Sequence, residues 1–210
     1  MAEQYGTTDD GRIESGTTTW AGARDVDTGA TIATTELESQ SFTVVNRFGS
    51  RGGGNTYRIG RTFIYFDTSS ITGTVASAQF EIVGSAGADG SIIAVKSTAF
   101  GGDGGTALAV EDFDAMPGWT DGASQAGNVT TYSVAFESSS ETWSTNSANV
   151  VAGTSDLLAD MKNNDVVIVC FMDYTYDYLN VTPTSNGTVN LGGRYAEASS
   201  SGQRPRIDYT

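Results

Sequence analysis

The chain has 210 residues, enough for one sizeable β-sandwich with a full hydrophobic core and no disulfide or metal. Its formal net charge is −14 and its sequence pI about 4.1, a balance that repels nucleic acid and anionic membrane. Only Lys96 and Lys162 are lysines, and histidine is absent, which removes Ser-His-Asp and Cys-His nucleophilic sites and most zinc sites. Hydrophobic residues make up 38% and charged residues 17%, with 26 glycines and abundant Ser, Thr and Asn. That mixture predicts many short strands joined by many turns.

In chain order, residues 1–17 read as an N-terminal arm leading into a single domain over 18–210. The opening Met1-Ala2-Glu3-Gln4-Tyr5 lacks the basic and apolar regions of a signal peptide. Without an export signal, the sequons at Asn128, Asn180 and Asn186 carry no meaning, and no apolar stretch approaches the ~18 residues of a membrane span. Thr17–Trp20, Thr31–Thr35 and Ser41–Val45 are β-prone, with a turn at Asp27-Thr28-Gly29. Arg51–Asn55 is a glycine loop; no helix opens after it and no Lys follows, so it is not a phosphate cradle.

Tyr57–Phe66 is the strongest strand, and apolar residues of both parities from Phe63 to Phe66 predict burial on both faces. Ala76, Ala78, Phe80 and Ile82 alternate with polar residues as in a half-buried strand. Ser91–Lys96 is another strand. Residues 101–128 are Gly- and Asp-rich, and a loop that long is expected to be pinned to the sandwich, by Phe113 and Trp119. Thr130–Phe136 resumes β structure. The one predicted helix follows Thr154 or Ser155, with Leu157, Leu158 and Met161 on one face and Asn163-Asn164 at its end. Val166–Met172 is a fully buried strand holding the sole cysteine, Cys170, expected as an inert core thiol. Asn186-Gly187 offers a hairpin turn, and Pro205 precedes a short terminal strand. The whole predicts a jelly-roll-like antiparallel β-sandwich with one short helix.

Candidate chemistry is sparse. Glu36/Glu38, Asp112/Asp114 and Asp173/Asp177 are carboxylate pairs of the kind a glycosidase would need, although 25 acidic residues produce such pairs on any solvated surface. Asp25 and Asp27, flanking a turn with Asp9-Asp10 close by in sequence, are the Ca²⁺ candidates. Tyr174, Tyr176 and Tyr178 would share one side of a strand. Exposed, they would stack on sugars or form an interface; buried, they would extend the face of Ile168 and Cys170, with Asp173 and Asp177 outside. Trp20, Trp119 and Trp143 carry the same ambiguity, and Trp119 joins the tyrosines as a candidate binding surface.

Arg61-Thr62-Phe63-Ile64-Tyr65-Phe66-Asp67-Thr68-Ser69-Ser70-Ile71, leading into the alternating strand Val75–Ile82, resembles the central motif of DNRLRE-type jelly-roll domains. Trp20 and Ala23-Arg24-Asp25 are similar to their opening segment, and Arg204–Thr210 to their closing strand. The resemblance brackets residues 18–210, leaving 98–165 unaligned. It implies a carbohydrate-binding-module shape, no catalytic residues, and occurrence in microbial surface proteins and bacteriophage virions. It also implies that Phe63, Tyr65 and Phe66 build core, that Arg61 pairs with a carboxylate or carbonyls, and that Asp67–Ser70 make the turn. A whole product of one domain, acidic and without an export signal, leads to a non-enzymatic virion protein assembled in the host cytoplasm. A capsid decoration (cement) protein is the first expectation, bound to capsid or tail proteins as a homo-oligomer, a trimer foremost. A carbohydrate-binding host-recognition module on a phage fibre or cell surface is the alternative.

Overall fold

The computed structural model describes residues 1–34, 39–49, 54–85, 87, 89–198 and 200–210; Glu36, Glu38 and the glycines of the 51–55 loop's first half lie outside them. The strands are β1 (Ala2–Tyr5), β2 (Gly11–Thr17), β3 (Thr31–Thr34), β4 (Ser39–Gly49), β5 (Asn55–Asp67), β6 (Ala78–Val83), β7 (Ser91–Lys96), β8 (Phe136–Glu137), β9 (Ala148–Ala152), β10 (Val166–Met172), β11 (Gly187–Arg194) and β12 (Arg206–Tyr209). A small sheet runs β1-β12-β6-β9. A large one runs β11-β4-β5-β10-β7-β8, with β2 on β5 and β3 on β2. All these strand pairs are antiparallel. The antiparallel all-β sandwich read from the sequence is the fold observed.

The long strand β5 organises the large sheet. Its residues 57–60 pair with both β2 and β4, and its residues 62 and 63 with both β2 and β10. One edge of β5 therefore carries β2, and the other carries β4 and then β10. Residues 1–17 are thus no arm: β1 pairs with β12 and β2 lies against β5. Their buried residues, Ile13 and Glu14 among them, sit in the sheet rather than ahead of it.

Strand alternation sorts side chains into two cores. Ile64 and Phe66 of β5, with Val167, Val169 and Phe171 of β10, meet Phe80, Ile82, Val151 and Ile207 of the small sheet. Phe80 stands edge-on to Phe171 at 5.2 Å. The opposite parity, Ile59, Phe63, Ile168, Cys170 and Met172, faces a second core closed by Phe100, Phe113, Met116, Val129 and Tyr178. Among the described residues this second layer has no sheet of its own. It is the long Gly- and Asp-rich segment together with α1 (Trp20–Arg24).

α1 replaces the end of the strand expected at Thr17–Trp20. The Thr19 hydroxyl caps it by accepting the Gly22 N–H at 3.1 Å, which favours a helical start over further extension. The predicted helix is α2 (Ser155–Asn163), capped by Thr154 accepting from the Leu157 N–H, with Leu157 and Met161 buried. Gly118 shows why the irregular layer needs glycine: its φ is +90°, and a Cβ there would lie 2.2 Å from the Asn128 carbonyl oxygen.

What fastens this layer is ionic. Arg61 lies on the face of Ile59 and Phe63, wholly buried. It donates from Nε and Nη2 to the two oxygens of Asp177, each at 2.8 Å, and to the carbonyls of Phe113 (2.8 Å) and Arg24 (3.0 Å). Arg24, also wholly buried, donates to the Asp177 carbonyl at 2.7 Å, to the Ala123 carbonyl at 2.9 Å and to the Asp25 carboxylate. Trp119 sits between the guanidiniums, its ring centre 4.5 Å from Arg24 and 4.1 Å from Arg61. Phe113 and Trp119 do pin the segment, and Arg61 does take a carboxylate.

Removing one member of such a pair strands the other charge in the interior, a loss of about 3–5 kcal/mol. Asp177→Ala is therefore expected to destabilise by that order in urea unfolding. Hydrogen exchange should speed up first across residues 110–128, while β5 and β10 keep their protection.

Candidate functional site

After β10 the chain does not continue as a strand. Tyr174–Tyr178 forms a wide helical turn, with the Tyr178 N–H on the Asp173 carbonyl (2.9 Å) and the Leu179 N–H on that of Tyr174 (3.0 Å). Asp173 starts it by accepting the Tyr176 N–H at 2.7 Å. The turn breaks the alternation on which the expected tyrosine stripe depends. Tyr178 is buried and stacked on half-buried Tyr174 at 5.6 Å. Asp173 and Asp177, expected outside, are both buried. Tyr176, half-buried like Tyr174, stands at a cleft.

Tyr176 in fact lines two clefts. One, of about 210 Å³, is formed with Asp89, Ser91, Glu137, Asp173 and Thr175. The other, of about 150 Å³, is formed with Val45, Arg47, Pro183, Asn186 and Thr188. An aromatic face between carboxylates, hydroxyls, an amide and a guanidinium is the lining that small polar ligands, sugars among them, are held by.

Asp173 is the floor of the first cleft. Burial is the main cause that pushes its carboxyl up, from 3.8 to about 6, and the charge of Asp177 adds to it. The Tyr176 and Ser91 N–H groups and the Ser91 hydroxyl, which donates at 3.2 Å, pull it back. Asp173 and Asp177 do not form a facing catalytic pair, since Asp177 is held by Arg61. In the Asp112/Asp114 pair, Asp112 accepts the Ala109 N–H at 3.0 Å, and burial raises the Asp114 carboxyl.

The remaining candidates are structural. Trp20 donates to the Asn180 side chain at 2.9 Å and Trp143 to the Gly192 carbonyl at 3.0 Å; both are buried. Cys170 is fully buried and its thiol is pushed up by burial, in keeping with an inert core role. Asp25 is taken by Arg24 and by the Gly122 N–H at 3.1 Å, and Asp27 is exposed. Their nearness in sequence therefore brings no metal cluster. Among the described residues no three His, Cys, Asp or Glu side chains gather into a metal-binding group.

Sequence reasoning missed the partner of Arg61 and the role of Asp173. A signal for the first was present: two arginines in otherwise apolar surroundings require a buried counter-charge. No family model matches the chain, and no curated protein matches it.

The Asp173 carboxyl gives a pH test. Its pKa is higher folded than unfolded, so the fold favours the neutral acid; the associated stability is full below about pH 4 and is lost as pH rises through about 6. A gap of that size corresponds to roughly 3 kcal/mol. Across that window wild type should lose stability relative to Asp173→Asn, whose amide stays neutral and still caps Tyr176. Parallel urea curves for the two proteins at every pH would contradict this.

Proposed function

We propose that the chain is a non-enzymatic accessory protein of a bacteriophage particle, in its narrowest form a capsid decoration protein docking on capsid or tail proteins as a homo-oligomer. The reading draws on the resemblance to DNRLRE-type jelly-roll domains and on one observation above the rest, the way the charges are used. The most constrained ionic groups, Arg24, Arg61 and Asp177, are spent inside, locking an irregular layer onto the large sheet. The net charge of −14 is left largely to the surface. Such a body holds a fixed shape, repels nucleic acid, and suits the outside of a particle whose own contents are anionic. Association would rest on apolar and hydrogen-bonding contacts, with the acidic face outward.

A closed particle lattice selects closed oligomers. Light scattering on the full-length chain, with and without Ca²⁺, should give a discrete oligomer, a trimer foremost. A monomer at every concentration would count against self-assembly in solution and shift weight to the second reading.

That second reading is glycan recognition, and Tyr176 favours it: the ring, half-buried against the second core, borders two clefts that also carry carboxylates, hydroxyls and a guanidinium. On a glycan array, Tyr176→Ala should lose at least tenfold in affinity, the order expected of an aromatic anchor. Trp119→Ala, whose ring is held between arginines, serves as the comparison. Absence of binding to any glycan would dismiss this reading.

A further inference from the structure

The chain crosses between the two sheets in the turn from β1 to β2 and again in the connection from β11 to β12. The crossings touch: the Gly6 N–H donates to the Pro205 carbonyl at 2.9 Å. Asp10, at the end of the first, is wholly buried. Its Oδ2 accepts the N–H of Ala196, in the second, at 3.0 Å. Its Oδ1 is equally buried and has no partner. Glu197, next to Ala196, has a buried Oε2 without a partner, and Thr7, in the turn with Asp10, has a buried hydroxyl oxygen without one.

Buried polar atoms in folded proteins are almost always satisfied, and several unsatisfied oxygens from adjoining turns point to an absent partner. All of them are hard oxygen donors. The side-chain charges acting on Asp10, those of Glu197 and Asp9, are both negative. Arg204 acts on Glu197, but its Nε is turned to the Ala198 carbonyl. Among the described residues the site thus has acceptors in excess and no positive charge acting on Asp10.

We propose that these two crossings form a divalent-cation site that takes Ca²⁺ on the carboxylates of Asp10 and Glu197, with the Thr7 hydroxyl and turn carbonyls or water completing the shell. Ca²⁺ accepts six to eight oxygens in irregular geometry, whereas Mg²⁺ demands a near-ideal octahedron that two turns do not supply. Two carboxylates suit the weaker, millimolar class of Ca²⁺ site. Asp9, exposed at the rim, adds attraction. Because each ligand lies on a connection between sheets, the ion would cross-link the sandwich at that end.

The test is calorimetric melting of the full chain at neutral pH in EDTA, in millimolar CaCl₂, in millimolar MgCl₂, and in KCl of matched ionic strength. Ca²⁺ should raise the melting temperature by several degrees and saturate, while Mg²⁺ and KCl do much less. Asp10→Asn should lose that response while melting no lower than wild type in EDTA, since the amide removes a buried acid. Glu197→Gln, at a half-buried position, should weaken the response, and Asp27→Asn should keep it in full. An unchanged wild-type melting temperature, an equal rise with Mg²⁺, or a full rise in Asp10→Asn would each overturn the proposal.

Discussion

A guanidinium inside a protein tolerates no half measures. Taken out of water, Arg61 loses hydration comparable to the whole stability of a domain unless a carboxylate and further acceptors replace it. Here every replacement comes from a different part of the chain. Asp177 arrives from the turn after β10, the Phe113 carbonyl from the long irregular segment, and the Arg24 carbonyl from α1. Burial alone would lower the Arg61 pKa, but the Asp177 charge and hydrogen bonds more than offset it and raise the value instead. The guanidinium stays charged, so its demand for partners never relaxes. A segment with little regular structure is thereby tied to the large sheet.

That constraint explains how a strand can be buried on both faces in a protein with two sheets. Val169 and Phe171 look toward the small sheet, while Ile168, Cys170 and Met172 look toward a layer made of loops. Loops bury backbone polar groups poorly unless those groups find partners. Gln125 supplies several: wholly buried, it bonds the Thr120 N–H and the Thr120 and Ala123 carbonyls at 3.0, 2.7 and 2.9 Å. Its own N–H reaches the Tyr178 carbonyl at 2.8 Å. Arg24 takes the Ala123 carbonyl from the other side. These backbone groups are thus partnered, and the apolar rings of Phe100 and Phe113 can close over β5 and β10.

Much of this is legible in the sequence. Period-2 alternation located β6, both-parity runs located β5 and β10 as doubly covered, and Thr154 with the Leu157 and Met161 spacing located α2. Those signals are local, and local physics decides them. Where the reading failed, distant atoms decided. The tyrosine stripe followed strand parity past Met172, but a turn closed by the Asp173 side chain re-phased the residues, sending Asp177 inward and leaving Tyr176 at the clefts. The N-terminal residues looked like an arm because their partners, β5 and β12, lie far along the chain. Arg24 and Arg61 belong to the segments that resemble DNRLRE-type domains, and their common partner could not be named because it lies outside those segments.

The same turn joins the most constrained part of the interior to the most open part of the surface. Within five residues it presents Asp173 to the cleft floor, Tyr176 to the cleft wall and Asp177 to Arg61. A π-type turn fixes its side chains relative to one another through its own backbone bonds. The position of the Tyr176 ring is therefore set by the buried ion pair as well as by contacts at the surface. The negative charge of Asp177 also reaches Asp173 and adds to the rise that burial gives its carboxyl. A binding surface built this way is organised before any ligand arrives, which lowers the ordering cost of association whether the partner is a sugar or another protein. It also means that a change at Asp177, remote from solvent, would be felt at the cleft by two routes, through the path of the turn and through the charge on its floor.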